Sequence, residues 1–221
     1  HLISAKNLGD YRLLGKTIDD AAGEAYDKVA KLLGFQYPGG PIIENLANQA
    51  EKATIDFPIP LRGKKSLNFS FSGLKTAVRN EAIAQKVFIE KKQLISLEHF
   101  NEHVISERKD QVQDIAASFQ KTVETIIEQR FAEALKRFPH KQIVLTGGVA
   151  SNTGIRERLK KLANRRRVKF YYPSGKHCTD NAAMIGYAAL QYFKKKDFEP
   201  ELHLRLNASS RSPISQMQVN L

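Results

Sequence analysis

The feature that most constrains this sequence is a long helical pattern that runs into a short apolar segment and a glycine pair. Apolar residues recur at spacings of three and four from Val112 to Phe138, which predicts a helix of about 27 residues that Pro139 ends. The run from Gln142 to Thr146 is apolar and β-branched, so we expect a buried strand there. Gly147 and Gly148 then open a turn into another helix. Helices that alternate with strands in this way place the chain in the α/β class.

The remaining segments alternate in the same manner, except that no boundaries can be set between residues 86 and 110. We expect residues 1–196 to form one domain and residues 197–221 to be an extended tail. The other predicted elements are a hairpin with strands at 2–5 and 11–14, a helix capped by Thr17 or Asp19 that Gly34 ends, a helix from about Pro41 to Glu51, loops and short strands at 52–75, a helix from near Leu74 past Ala84, a helix from about Asn152 to Ala163, a strand at 168–172 and a helix from about Asp180 to Lys195.

Net charge and cysteine content indicate which binding partners and which cellular compartment to expect. The chain has 35 Lys and Arg against 23 Asp and Glu, a net charge of +12, so nucleic acid is a plausible partner. Basic residues cluster between Lys160 and Lys169, where they either solubilise a helix or contact phosphates. With Cys178 as the single cysteine and no apolar run long enough to cross a bilayer, we expect a cytoplasmic protein with no membrane partner. Because the first residue is His1, we also expect the chain to begin inside a larger protein.

Two loop segments carry candidate ligand-binding residues. The Gly147–Gly148 turn lets a ligand approach the backbone at a helix start, although glycines there also serve close packing. Asn152 either caps the following helix or offers its amide to a base or ribose. Asp180 is either a helix cap or a hard oxygen ligand for a metal, whose other ligands would come from outside this sequence.

Two clusters of acidic and histidine residues remain ambiguous from the sequence. Asp20, Glu24 and Asp27 share a helix face, and with Glu44 they are either solvated or able to bind sugar hydroxyls. The segment from His99 to His103 fits the H-x-x-E-H pattern of zinc peptidases, but it lies in a charged region with no third ligand.

Five segments, taken together and in this order, resemble the motifs of the bacterial TsaD family, also called YgjD or Gcp. The resemblance extends from about residue 2 to residue 195 and weakens between residues 80 and 110. The five segments are DDAAGEAYDK at 19–28, YPGGP at 37–41, NFSFSGLKT at 68–76, GGVASN at 147–152 and CTDNAAMI at 178–185.

The resemblance implies a tRNA N6-adenosine threonylcarbamoyltransferase, which moves a threonylcarbamoyl group from threonylcarbamoyl-adenylate to adenosine 37 of tRNA. It implies one lobe of the two-lobed actin, Hsp70 and sugar-kinase (ASKHA) fold. In this family's pattern Asp27, Gly40 and Glu44 bind the ribose and Asn152 the adenine side, whereas Asp180 ligates the metal. The implied partners are tRNA and proteins similar to TsaB and TsaE, and the basic stretch at 160–169 would contact tRNA phosphates. No general base is identified.

The family's H-x-x-x-H pair and its Ser-Gly-Gly-His-Thr loop are both missing from this sequence. The resemblance implies one divalent metal ion, Fe or Zn, in the intact protein. We expect this chain alone to bind metal weakly or not at all and to be inactive. Three alternatives stay open: a zinc-dependent O-sialoglycoprotein endopeptidase, a non-catalytic partner-binding module and a phosphotransferase of the same superfamily. The motifs at Asp27 and at residues 37–41 argue against the last.

Overall fold

The computed structural model describes residues 1–63, 65–87 and 106–194 and confirms the mixed α/β class. Its first element is the predicted hairpin, in which β1 (Leu2–Asn7) pairs antiparallel with β2 (Asp10–Gly15) and Ala5 lies opposite Tyr11. Gly9 turns the hairpin at a φ of 86°, a conformation that suits glycine. The predicted tail at 197–221 lies outside the described residues.

A second sheet contains β3 (Gln142–Val144) and β4 (Lys169–Tyr171), which run parallel with Ile143 opposite Phe170. Both strands are shorter than the apolar runs that predicted them. In the described part of residues 52–75 no strand forms. The nearest feature is an isolated bridge between Thr17 and Phe69, so the expected short strands are wrong.

Six α-helices accompany these strands among the described residues. They are α1 (Ala22–Leu32), α2 (Gly39–Gln49), α3 (Ser72–Ala84), α4 (Ser106–Arg137), α5 (Thr153–Arg166) and α6 (Ala182–Lys194). The long helix α4 begins six residues before the apolar pattern does, because its first turns are polar and give no periodic signal. Helix α2 begins at Gly39 rather than Pro41, so the glycine pair belongs to its first turn.

Two of the predicted helix caps are wrong. Neither Thr17 nor Asp19 caps α1, whose N-cap residue is Ala21. The Asp19 carboxylate accepts hydrogen bonds from the backbone N–H groups of Phe71 at 2.7 Å and Ser72 at 3.3 Å, and therefore holds the start of α3. At α6 the cap is Asn181, whose Oδ1 accepts from the Met184 N–H at 3.0 Å, and not Asp180. Asp19 instead bonds to a distant segment, and the residue next to Asp180 makes the cap hydrogen bond of α6.

The hydrophobic core forms where α2 and α3 pack on α4 and α1 packs on α2 and α3. Its largest fully buried side chains include Phe35, Phe71 and Phe119, and Tyr26 meets the Phe119 ring edge-on with centroids 5.1 Å apart. Helix α5 packs on α4 as well and supplies Ile155. This packing fixes the mutual positions of the helix ends that carry the candidate site residues.

Helix α6 differs from the others because none of its residues is buried. Its apolar side chains at Ile185, Tyr187 and Phe193 are each more than 60% exposed. Within the described part of the chain, no helix combines the length and hydrophobicity that a membrane span requires.

Candidate functional site

The first part of the site is the contact between α1 and the start of α2. Asp27 Oδ1 accepts a 2.7 Å hydrogen bond from the Gly39 N–H. A Cβ atom on Gly39 would lie 2.6 Å from Asp27 Cα and 2.7 Å from the Tyr26 carbonyl oxygen, so only glycine fits. Gly40, in contrast, has open space where a Cβ would lie. The Gly40 backbone is therefore accessible to a ligand beside the Asp27 carboxylate.

Glu44 connects α2 to the start of α5. Its Oε1 accepts hydrogen bonds from the Thr153 backbone N–H at 2.6 Å and from the Thr153 hydroxyl. A carboxylate at a helix N-terminus is favourable because free N–H groups and the positive end of the helix dipole lie there. The second Glu44 oxygen has no partner among the described hydrogen bonds.

Asn152 is buried, and its side chain caps α5 by accepting from the Ile155 N–H at 3.0 Å. The amide also exchanges two hydrogen bonds with Gln120 on α4. Gln120 in turn accepts a 2.7 Å hydrogen bond from the Tyr26 hydroxyl, one residue before Asp27. The structure therefore shows that Asn152 caps α5. Contact between its amide and a base or ribose stays a prediction.

These contacts bring four of the five predicted site residues together. Asp27 touches Gly39 beside Gly40, Glu44 touches the residue after Asn152, and Gln120 joins Asn152 to the residue before Asp27. The fifth, Asp180, is exposed, and no described hydrogen bond or ion pair joins it to the others. Whether these residues contact the predicted ligands stays a prediction.

Arg156 holds the loop that precedes Asp180 against the glycine turn. Its guanidinium donates to the Ala150 carbonyl, and more weakly to the Pro173 carbonyl and Cys178 Sγ, both at 3.4 Å. It also lies 4.4 Å from the centre of the Tyr172 ring, a cation–π distance. The Asp180 loop is therefore attached close to the segment that carries Asn152.

The glycine turn faces a cavity of about 790 Å³ with mostly apolar walls. Gly147 adopts a φ of 87°, and both glycines have open space at the Cβ position. The cavity is lined by Leu2 and Ile3 of β1 on one side and by Val144 of β3 on the other. In the described part of the chain each of these two strands has a partner strand on one edge only, and both strands contribute residues to the cavity lining.

Two of the acidic residues on α1 and before it are used in ion pairs. Lys28 contacts Asp20 at 2.6 Å and Glu24 at 2.7 Å, and Lys75 contacts Asp20 at 3.2 Å. The hydrogen bond from Lys28 is the main reason that the pKa of Asp20 lies below its ordinary value. Of the three carboxylates that were expected, together with Glu44, to bind sugar hydroxyls, only Asp27 is hydrogen-bonded to the Gly39–Gly40 turn.

The described residues do not form a complete metal site. No group of three or more His, Cys, Asp and Glu side chains comes together in residues 1–63, 65–87 and 106–194. Asp180 is a single exposed carboxylate, and His99 and His103 lie outside the described residues. Asp180 as a ligand of Fe or Zn therefore stays a prediction, and no chemical step is assigned to a metal.

The basic cluster is divided between structural and exposed residues. Arg158 and Arg165 both pair with Glu128 on α4. Burial opposes ionisation of Glu128, but the hydrogen bonds from the two arginines hold its pKa below the ordinary value. Lys160 and Lys161 are exposed and belong to no described ion pair, so they are available to an anionic partner.

Sequence reasoning missed Gln120 and Arg156. Gln120 directly follows the core residue Phe119 and reads as a polar position on an amphipathic helix. Arg156 lies among the other basic residues of α5 and resembles them. Their partners are up to 94 residues away in the sequence, so no local pattern indicates them.

Comparisons with known proteins identify the family of this chain. The family model TsaD, described as tRNA N6-adenosine threonylcarbamoyltransferase, matches residues 1–187. Proteins with that name are 42% identical over 196 residues in Thermosipho africanus, 41% over 193 in Clostridioides difficile and 38% over 217 in Trichlorobacter lovleyi. These alignments cover 88%, 87% and 98% of this chain but 53%, 52% and 57% of the relatives. The chain thus spans about half the length of the relatives it matches, and it belongs to the TsaD family.

Proposed function

We propose that this chain forms one wall of the adenylate site of a tRNA N6-adenosine threonylcarbamoyltransferase. The observation that carries the proposal is the hydrogen-bonded connection between Asp27, the Gly39–Gly40 turn, Glu44 and Asn152. Residues that the family pattern assigns to one nucleoside need to lie on one surface. Residues 1–196 would then belong to one lobe of an ASKHA fold, with residues 197–221 as a tail.

The proposed roles follow from the chemistry of each group. Asp27 and the free oxygen of Glu44 would accept hydrogen bonds from ribose hydroxyls, and the open Gly40 backbone allows the sugar to approach closely. Asn152 would contact the adenine. These residues bind and orient the adenylate, which is a contribution of position rather than of acid–base chemistry.

The reaction itself is an acyl transfer. The N6 amine of the tRNA adenosine attacks the carbamoyl carbon, and a C–N bond forms while the C–O bond to the adenylate phosphate breaks. AMP leaves, and the attacking amine loses a proton. The expected metal ion, Fe or Zn, would stabilise negative charge that develops on oxygen when it is bound. Asp180 is the one ligand that this chain is proposed to supply.

The exposed lysines of α5 suggest where tRNA would lie. Lys160 and Lys161 have no described acidic partner, and phosphate contacts of this kind position a nucleic acid without reading its sequence. TsaB-like and TsaE-like partners and a cytoplasmic location complete the proposal.

The proposal is tested by measuring adenylate binding and tRNA modification with the full-length protein. Asp27→Ala and Asn152→Ala are each expected to weaken adenylate binding at least tenfold, the loss of one hydrogen bond to a charged or buried group. Asp56→Ala, an exposed carboxylate outside the site, is the control. We expect no turnover from the isolated 221 residues. Wild-type affinity in both site variants would contradict the assignment.

A further inference from the structure

Gln120 is a buried residue with no role in the family pattern described above. It lies on α4 with 7% of its surface exposed, between α1 and the start of α5. Its Oε1 accepts from the Tyr26 hydroxyl at 2.7 Å and from Asn152 Nδ2 at 3.2 Å. Its Nε2 donates to Asn152 Oδ1 and to Glu124 Oε1, both at 2.8 Å. All four hydrogen bonds that a primary amide can make are therefore in use.

The amides of Gln120 and Asn152 face each other as a cyclic pair with two hydrogen bonds. The cap bond from the Ile155 N–H fixes where the Asn152 oxygen lies. The second contact, from Gln120 to both ends of the Asn152 amide, fixes the plane of that amide. The terminal torsion of asparagine is otherwise broad, so this restraint is specific to the pair.

The pair also fixes what Asn152 can offer a ligand. Its oxygen accepts two hydrogen bonds, from Ile155 and Gln120, which uses both lone pairs. One N–H donates to Gln120, and the other has no partner among the described hydrogen bonds. Asn152 thus has a donor to spare and no acceptor.

Gln113 provides a natural comparison on the same helix. It is equally buried, at 6% exposed, and its Nε2 donates to Gln49 Oε1 at 3.2 Å. That hydrogen bond joins α4 to the end of α2 and involves no predicted site residue. Gln113 is therefore a structural glutamine against which a positioning role of Gln120 can be measured.

We propose that Gln120 is a positioning residue that restricts Asn152 to donating one hydrogen bond to a ring nitrogen of the bound adenine. The inference rests on the proposed function, because it needs Asn152 beside the base. It deepens that function by naming the polarity of the contact. A ring nitrogen is an acceptor, whereas the exocyclic amine of adenine uses its hydrogens as donors and does not suit a side chain that can only donate.

The test measures binding of AMP and its 1-deaza, 3-deaza and 7-deaza analogues to the full-length protein by calorimetry. Each analogue replaces one ring nitrogen with a C–H group and so removes one acceptor. We expect one analogue to bind about tenfold more weakly than AMP to the wild type, as one hydrogen bond is lost. Asn152→Ala should bind that analogue and AMP equally, within about twofold.

Gln120→Met should lose the same discrimination, whereas Gln113→Met should keep it. Gln120→Glu is the second variant, because it retains the shape and the acceptors but removes both donors. Gln120→Glu replaces the methionine variant if that variant does not fold, and it too should lose the discrimination between AMP and the deaza analogue. Purine riboside monophosphate lacks the exocyclic amine. The ratio of its affinity to that of AMP should be the same for Asn152→Ala as for the wild type.

Two results would overturn the inference without affecting the proposed function: tenfold discrimination that survives in Gln120→Glu, or an Asn152-dependent loss with the purine analogue only. Failure of the wild-type protein to bind AMP would reject the proposed function, and this inference with it.

Discussion

Replacing Arg130 by methionine tests how strongly the segment before α3 depends on α4. Arg130 is 5% exposed, and its guanidinium donates to three backbone carbonyls in that segment. The acceptors are Ser66 at 3.0 Å, Pro60 at 3.2 Å and Leu61 at 3.1 Å. Burial lowers the pKa of Arg130, so its charge is partly desolvated. Methionine keeps the unbranched stem and removes every donor.

The expected cost is about 3 kcal/mol. Hydrogen bonds from a charged donor contribute about 1.5–3 kcal/mol each when one partner is removed, but loss of the charge also removes its desolvation penalty. A net of about 1 kcal/mol for each of the three bonds is therefore reasonable. With a urea m-value of about 2 kcal/mol/M for a chain of this size, the midpoint should fall by about 1.5 M.

The assay is urea unfolding followed by circular dichroism, with Arg137→Met as the matched control. Arg137 lies two turns further along α4, where it is exposed and pairs with Glu133. Such surface pairs contribute only about 0.3–0.5 kcal/mol, so the control midpoint should move by about 0.2 M. Equal midpoints for the two variants would refute the view that Arg130 anchors Pro60, Leu61 and Ser66.

Three other predictions follow from separate contacts. Gly39→Ala should destabilise the chain by about 1–3 kcal/mol, because its Cβ would lie 2.6 Å from a backbone atom, whereas Gly40→Ala should be within about 0.5 kcal/mol of wild type in thermal unfolding. Burial opposes ionisation of Asp19, but the hydrogen bonds from Ser70, Phe71 and Ser72 set its pKa below the ordinary value. The contribution of the Asp19 carboxylate to the free energy of unfolding is therefore complete above about pH 4 and is lost as pH falls through the folded pKa. Asp19→Ala should be about 1 kcal/mol less stable than wild type at neutral pH, and this difference should shrink in acid titrations. Reversing the charges of Lys160 and Lys161 together in the full-length protein should weaken tRNA binding and reduce its salt dependence by about two phosphate contacts, whereas reversal of the exposed Lys52 should not.

Local patterns were sufficient to predict most helices and strands of this fold. The apolar periodicity of α4 and the alternation around the first hairpin both arise from burial of one face, which a sequence shows directly. The glycine turn before Asn152 was also predictable, because its backbone angle requires glycine.

Contacts between distant segments account for what the sequence did not reveal. Asp19 reads as a cap for the next helix, but its partners are 52 and 53 residues away, at the start of α3. The site residues of the family motifs were identified by resemblance, yet the amide that links two of those motifs was not. A polar residue such as Gln120 is ordinary on an amphipathic helix. Its hydrogen bonds to Tyr26 and Asn152 form only when distant segments pack together.

The unpaired edges of β1 and β3 have a practical consequence for handling this polypeptide. Short strands that lack a partner on one edge among the described residues, and that lie beside an apolar cavity, are templates for pairing between molecules. At high concentration this chain should therefore form intermolecular sheets and precipitate slowly. Keeping the protein dilute, or covering these edges with a further segment, should slow that association.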